Sequence, residues 1–141
     1  MATKKQRKVV VISGVRTPFV KAFGKFLKLD TIALGTKAVE SLLERVEIQR
    51  KEIESVVWGG VILPSASPNI GREISLDAGL PKTVEAITVS QACASGLRAI
   101  TTAAAAIERG DIDVAIAGGS DSTSNAEIKL PQKVVHALAP L

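Results

Sequence analysis

From Ala94 to Ile107 the chain carries a single charged residue, Arg98, in a run otherwise made of Ala, Leu, Ile, Thr, Gly and Ser. Its alanine content favours a helix over residues 94–109. A helix that is apolar nearly all round has to be buried on more than one side. That requirement restricts the folds open to the chain. One sheet covers one side of such a helix, so a second layer, from further sequence or from a partner chain, must cover the other. The alternative is that Thr101, Thr102 and the small alanines tolerate partial exposure; burial is the expectation.

Strand and helix patterns alternate around this segment. Val9 to Ile12 is a continuous run of β-branched residues, the pattern of a strand buried on both faces. Asp30 is placed to cap a helix from Thr31, with Ala38, Val39, Leu42, Leu43 and Val46 on one stripe. Ser55 to Trp58 starts a second strand, closed near Gly59-Gly60, and Pro64 to Pro68 reads as a loop. Asn69 caps a short helix ending near Gly79, before Pro81. Glu85 to Ser90 is the third strand and Val114 to Ala117 the fourth. The βαβαβαβ order predicts an α/β fold with a mainly parallel sheet.

With 141 residues and 46% hydrophobic content the chain has the size of one ordinary domain with a core. Aromatics are limited to Phe19, Phe23, Phe26 and Trp58, so Val, Ile, Leu and Ala must build that core. The net charge is +4, and Lys4, Lys5, Arg7 and Lys8 crowd into the start. Residues 1–7 are expected to form a basic, solvated tail. No aromatic platform or recognition-helix pattern accompanies it, so nucleic acid is not an expected partner. No stretch approaches a transmembrane helix, and no apolar signal core follows the basic start. Cys93 is the lone cysteine, which rules out an intrachain disulfide and suits a reducing compartment. With His136 the lone histidine, no zinc-type ligand spacing exists, and no metal is expected.

Cys93 lies where the third strand gives way to the Ala-rich helix. Free N–H groups and the positive dipole end of a helix start favour a thiolate. Free cysteine is also among the most buried residue types. Position alone therefore fits a nucleophile and a structural cysteine equally. Ser95, with no base beside it, reads as a helix-start hydroxyl that satisfies backbone N–H groups. Arg16 suits an anionic contact or a structural salt bridge. Gly118-Gly119-Ser120 matches neither G-x-G-x-x-G nor the Walker pattern, and a tight turn is expected there. A Cys93–His136 dyad is not expected.

The run Thr88-Val89-Ser90-Gln91-Ala92-Cys93-Ala94-Ser95-Gly96-Leu97-Arg98-Ala99-Ile100 resembles the nucleophile segment of the thiolases. Three further stretches resemble the same family in the same order. They are Val11-Ile12-Ser13-Gly14-Val15-Arg16-Thr17-Pro18-Phe19, then Asn69-Ile70-Gly71-Arg72-Glu73 ahead of Ala78-Gly79-Leu80, then Ala115 to Ser124. The resemblance covers the chain from about Lys8 onward. It implies a layered αβαβα fold, in which residues 8–141 supply about one half-domain, the N-terminal portion of a thiolase N-terminal domain.

The resemblance also implies a function. Cys93 would carry an acyl group as a thioester in thiolytic cleavage of 3-ketoacyl-CoA or the reverse condensation. Coenzyme A and acyl-CoA would be substrates, with no permanently bound cofactor; no CoA-contacting residue is assigned. The family's histidine, in a Gly-His-Pro motif, and its second cysteine, in Cys-x-Gly-Gly-Gly, are expected in further sequence, because neither motif occurs in these residues. The 141 residues alone are therefore expected to be inactive. Ser90 stands where many thiolases carry Asn, and Ser124-Asn125-Ala126 follows the Gly-Gly pair. Both features resemble the branch serving fatty-acid β-oxidation complexes. A homo-oligomer, a β-oxidation multienzyme partner subunit and a cytoplasmic location (mitochondrial or peroxisomal in a eukaryote) are the corresponding expectations.

The rivals are a β-ketoacyl synthase-like condensing enzyme, which uses cysteine at the equivalent helix start, and a truncated, non-catalytic thiolase-like assembly module. A cysteine hydrolase with a nucleophile elbow needs Gly two residues before and after the nucleophile, where Gln91 and Ser95 stand.

Overall fold

The computed structural model describes residues 7–139. Its regular elements are α1 (Thr31–Arg45), β1 (Ser55–Gly59), α2 (Ile70–Asp77), β2 (Glu85–Val89), α3 (Ser95–Arg109), β3 (Ala115–Gly119) and α4 (Gln132–Leu138). Short 3-10 turns occur at Arg50–Glu52 and Thr123–Asn125. Local chemistry sets the helix boundaries. The Asp30 carboxylate accepts from the Ala33 N–H at 2.7 Å and starts α1. Asn69 accepts from Arg72 N–H and starts α2. α3 stops at Gly110, whose φ of 80° glycine adopts without strain. There the N–H groups of Gly110 and Asp111 close back on Ile107 O and Ala106 O.

The three strands form one parallel sheet in the order β2-β1-β3. β1 is the middle strand, with Ser55 aligned to Glu85 and Ala115, and Gly59 aligned to Val89 and Gly119. Successive crossovers lead to opposite sides of β1, so right-handed connections place their helices on opposite faces. On one face α1 and α2 enclose Val39, Val56, Trp58, Ile70, Ile74 and Ile116. On the other, Ala99 and Ala103 of α3 pack on Val57, flanked by Val89, Ala115 and Ala117. The alternation of Val56, Val57 and Trp58 between faces is the period-2 pattern of a strand covered on both sides.

Two sequence expectations are corrected. The four-strand reading fails at its first strand: Val9–Ile12 is irregular, and Val10, Val11 and Ile12 are 74%, 84% and 79% exposed. A β-branched run becomes a strand only when an edge pairs with it, and this run pairs with neither β2 nor β3. The Gly118-Gly119 pair is not a turn but the end of β3. A Cβ on Gly118 would lie 2.7 Å from the Trp58 ring. That ring is buried and anchored by its Nε1, which donates to Ser120 Oγ at 2.9 Å. Ser120 Oγ in turn donates to Thr31 O at 2.7 Å, tying β1, the β3 exit and the start of α1. The glycine is a packing requirement of Trp58.

α4 was not among the expected elements, and it buries none of its residues. The double-sided burial expected of α3 is met on one side only. Leu97 and Ile100 remain 65% and 45% exposed on the face away from the sheet. Arg7, at the end of the expected basic tail, is ion-paired with Asp113; Lys4 and Lys5 lie outside the described residues.

Replacing Gly118 by Ala should push a methyl into the Trp58 ring. The expected loss is about 1–3 kcal/mol of unfolding free energy, measured by urea denaturation. Unchanged stability would show that Trp58 moves freely.

Candidate active site

Because the sheet is parallel, β1, β2 and β3 end at the same edge, at Gly59, Val89 and Gly119. β1 is also where the strand order reverses direction, since β2 and β3 lie on either side of it. The carboxyl edge at such a reversal is where open α/β sheets place their ligands. The chain leaves β2 at this edge, turns through residues 90–94 and enters α3.

The turn is tight. Ala94 N–H donates to Gln91 O at 3.0 Å, and Ser95 N–H to Ala92 O at 3.1 Å. Ala92 has φ +45°, a left-handed conformation that glycine or asparagine usually fills. Cys93 follows as a free, exposed thiol. Ser95 is buried, and its hydroxyl accepts from Gln91 N–H at 2.8 Å and donates to Ala92 O at 2.6 Å. The hydroxyl therefore ties the preceding turn rather than capping its own helix.

The first turn of α3 rests directly on the end of β1. A Cβ on Gly59 would lie 2.5 Å from the backbone carbonyl carbon of Ser95 and 2.7 Å from Gly96 N. Only hydrogen at Gly59 permits this approach. Among the described residues, the N–H groups of Cys93, Gly96 and Leu97 have no acceptor. An exposed sulfur thus sits beside unpaired donors at the positive end of a 15-residue helix. That arrangement suits a thiol that attacks a carbonyl and leaves negative charge on the oxygen.

The other candidates from the sequence fall elsewhere. No hydrogen bond among the described residues joins Cys93 to His136; the His136 ring nitrogen lies 3.4 Å from Gln132 Nε2. Arg16 makes neither an anionic contact nor a salt bridge among the described residues. Its guanidinium stacks 3.9 Å from the Phe19 ring centroid. No metal-type cluster of His, Cys, Asp and Glu occurs among the described residues. No described helix is long and apolar enough to cross a membrane. A cavity of about 400 Å³ lies between residues 13–22, α1 and the end of β3, and Cys93 does not line it.

Two features of the site went unread in the sequence. Ala92 gives no signal, because alanine does not mark left-handed turns. Gly59 was visible only as a strand-ending glycine, although the Gly-Gly pair was the available clue.

The model of the thiolase N-terminal domain matches residues 9–139. A 3-ketoacyl-CoA thiolase of Shewanella halifaxensis is 39% identical over 134 residues, covering 95% of this chain and 31% of the relative. One from Pseudoalteromonas translucida is 38% identical over 141 residues, covering 100% of this chain and 32% of the relative. The chain thus spans about a third of the length of these relatives. Among solved structures, the Bacillus anthracis acetyl-CoA acetyltransferase superposes with a TM-score of 0.86 at 28% identity, over 89% of this chain and 32% of that one. An Ascaris suum thiolase in complex with coenzyme A gives 0.82 at 31% identity, over 85% and 31%. With its parallel sheet, its cysteine turn and a match to the family's N-terminal domain across nearly all of its described residues, this chain belongs to the thiolase family.

Proposed function

We propose that the protein carrying this chain is an acyltransferase that moves acyl groups between Cys93 and coenzyme A, with cleavage or formation of the carbon–carbon bond of a 3-ketoacyl thioester. The observation that carries the proposal is the placement of Cys93. It is a free, exposed thiol at the carboxyl edge of a parallel sheet, beside the unpaired N–H groups of a helix start. The 3-ketoacyl-CoA thiolases it resembles support the substrate class, and the coenzyme A held by the Ascaris suum thiolase supports the carrier.

The Cys93 thiol gives its proton to a base and its sulfur attacks the 3-keto carbon. The resulting oxyanion draws on the N–H groups at the turn and helix start. On collapse the bond between carbons 2 and 3 breaks, and the departing two-carbon CoA thioester takes up a proton. The acyl group stays on Sγ until the thiol of a second coenzyme A attacks the thioester and returns the cysteine to its starting state. Cysteine suits this double duty because sulfur is both a strong nucleophile and a good leaving group. Coenzyme A enters as substrate, and no resident cofactor is required. The base and the acid come from outside the described residues, since none of these reaches Cys93 Sγ with a hydrogen bond. The open face of α3 supports coverage by further sequence or a second copy. A β-oxidation partner subunit and a cytoplasmic, mitochondrial or peroxisomal site accompany the 3-ketoacyl-CoA assignment.

Quenching the intact protein with acyl-CoA should leave a thioester on the Cys93 peptide by mass spectrometry, and Cys93→Ala should lower turnover by about a thousand-fold or more. Substantial turnover in Cys93→Ala contradicts the assignment. The 141 residues on their own should show no thiolysis of acetoacetyl-CoA by free coenzyme A, because no base meets the thiol. Thiolysis at the rate of the intact protein would mean that His136 or another described group supplies the base.

A further inference from the structure

We infer that Ser95 is a positioning residue for Cys93: its buried hydroxyl locks the strained turn that presents the thiol. The inference rests on Cys93 being the acyl-accepting nucleophile. The turn from Gln91 to Ala94 is closed by a backbone bond of 3.0 Å and requires φ +45° at Ala92. A positive φ at the second position of such a turn belongs to glycine, asparagine and aspartate. Alanine holds it only where the surroundings over-determine it.

Ser95 supplies that constraint. Its Oγ accepts from the N–H of Gln91, at 2.8 Å, and donates to the carbonyl of Ala92, at 2.6 Å. One hydroxyl therefore bridges the Ser90–Gln91 and Ala92–Cys93 peptide units, spanning Gln91 and Ala92. Ser95 is 4% exposed, so water does not readily substitute for it. Its own backbone lies against Gly59, so the hydroxyl is fixed relative to β1. The chain of contacts runs from the sheet through Ser95 to the turn, and the turn sets where Cys93 Sγ points. A hydroxyl that is buried with both functions engaged is not itself a nucleophile. Nor is it an ordinary cap, because it reaches backward to residues 91 and 92 instead of forward into α3.

The test measures the rate at which an acyl-CoA quench places the thioester on Cys93 of the intact protein, together with KM and Tm. In Ser95→Ala the rate should fall about ten-fold or more, while KM changes by less than about two-fold. The double variant Ser95→Ala/Ala92→Gly should recover a large part of the loss, because glycine occupies the left-handed conformation without help. Ala92→Val, at an exposed position, should slow acylation in the same way with KM retained, and it reports on the same turn if Ser95→Ala does not fold. Native acylation rates in both Ser95→Ala and Ala92→Val overturn the inference. So does a loss in Ser95→Ala that glycine at 92 fails to relieve, which would make Ser95 a packing residue only. Absence of any thioester on Cys93 in the unaltered protein overturns the proposed function and the inference together, whereas a native thioester insensitive to these variants removes the inference alone.

Discussion

The approach of the α3 helix start to the end of β1, backbone against backbone at Gly59, is the constraint on which the rest of the site depends. α3 packs on the sheet through Ala99 and Ala103, small side chains that let a helix lie close. Closeness along the helix is of no use to the site unless its first turn also comes down onto the sheet edge. There any side chain on residue 59 would intrude. The hydrogen of Gly59 admits the Ser95–Gly96 backbone, and the turn carrying Cys93 follows from where that backbone lies. Packing at one glycine is thereby converted into the orientation of a thiol.

The opposite face of the sheet does the complementary work. Trp58 fills the space above Gly118, and its indole N–H joins β1 to Ser120 and, through Ser120, to the start of α1. Beyond the strands, the Asp121 carboxylate accepts from the N–H groups of Val61 and Ile62. Glu127 accepts from the N–H and hydroxyl of Ser65, and the backbone bond in particular holds its carboxyl below the ordinary range. The loops leaving β1 and β3 at the carboxyl edge are thus tied to each other. The edge that presents Cys93 is held from both sides of the sheet.

Much of this was legible in the residue pattern. Asp30 and Asn69 marked their helices because a side-chain acceptor before an apolar stripe has one economical use. The strands at Ser55, Glu85 and Ala115 were found because each is a short β-prone or small-residue run ahead of a helix or a loop. Val9–Ile12 misled for a physical reason: β-propensity reports what a segment suits, while pairing depends on an available edge. The Gly118-Gly119 pair misled because glycine marks close packing as well as turns, and the indole responsible is 60 residues away. The strand-to-helix setting of Cys93 was legible, but the conformation of Ala92 was not. Its left-handed backbone is imposed by Ser95 and by the docking of α3, and those are tertiary facts. The apolar character of α3 called for more cover than one sheet; among the described residues one face is covered, and the outer face at Leu97 and Ile100 stays open.

The most direct test of this account is the rate of Cys93 acylation in a Gly59→Ala variant of the intact protein, followed by mass spectrometry after an acyl-CoA quench. The added methyl must displace the first turn of α3 from the sheet edge. The account predicts a fall in acylation of about ten-fold or more, with the far-UV circular dichroism of the native fold retained. Acylation of Gly59→Ala at the native rate would show that the contact between β1 and α3 does not position the thiol, and would contradict the account at its centre.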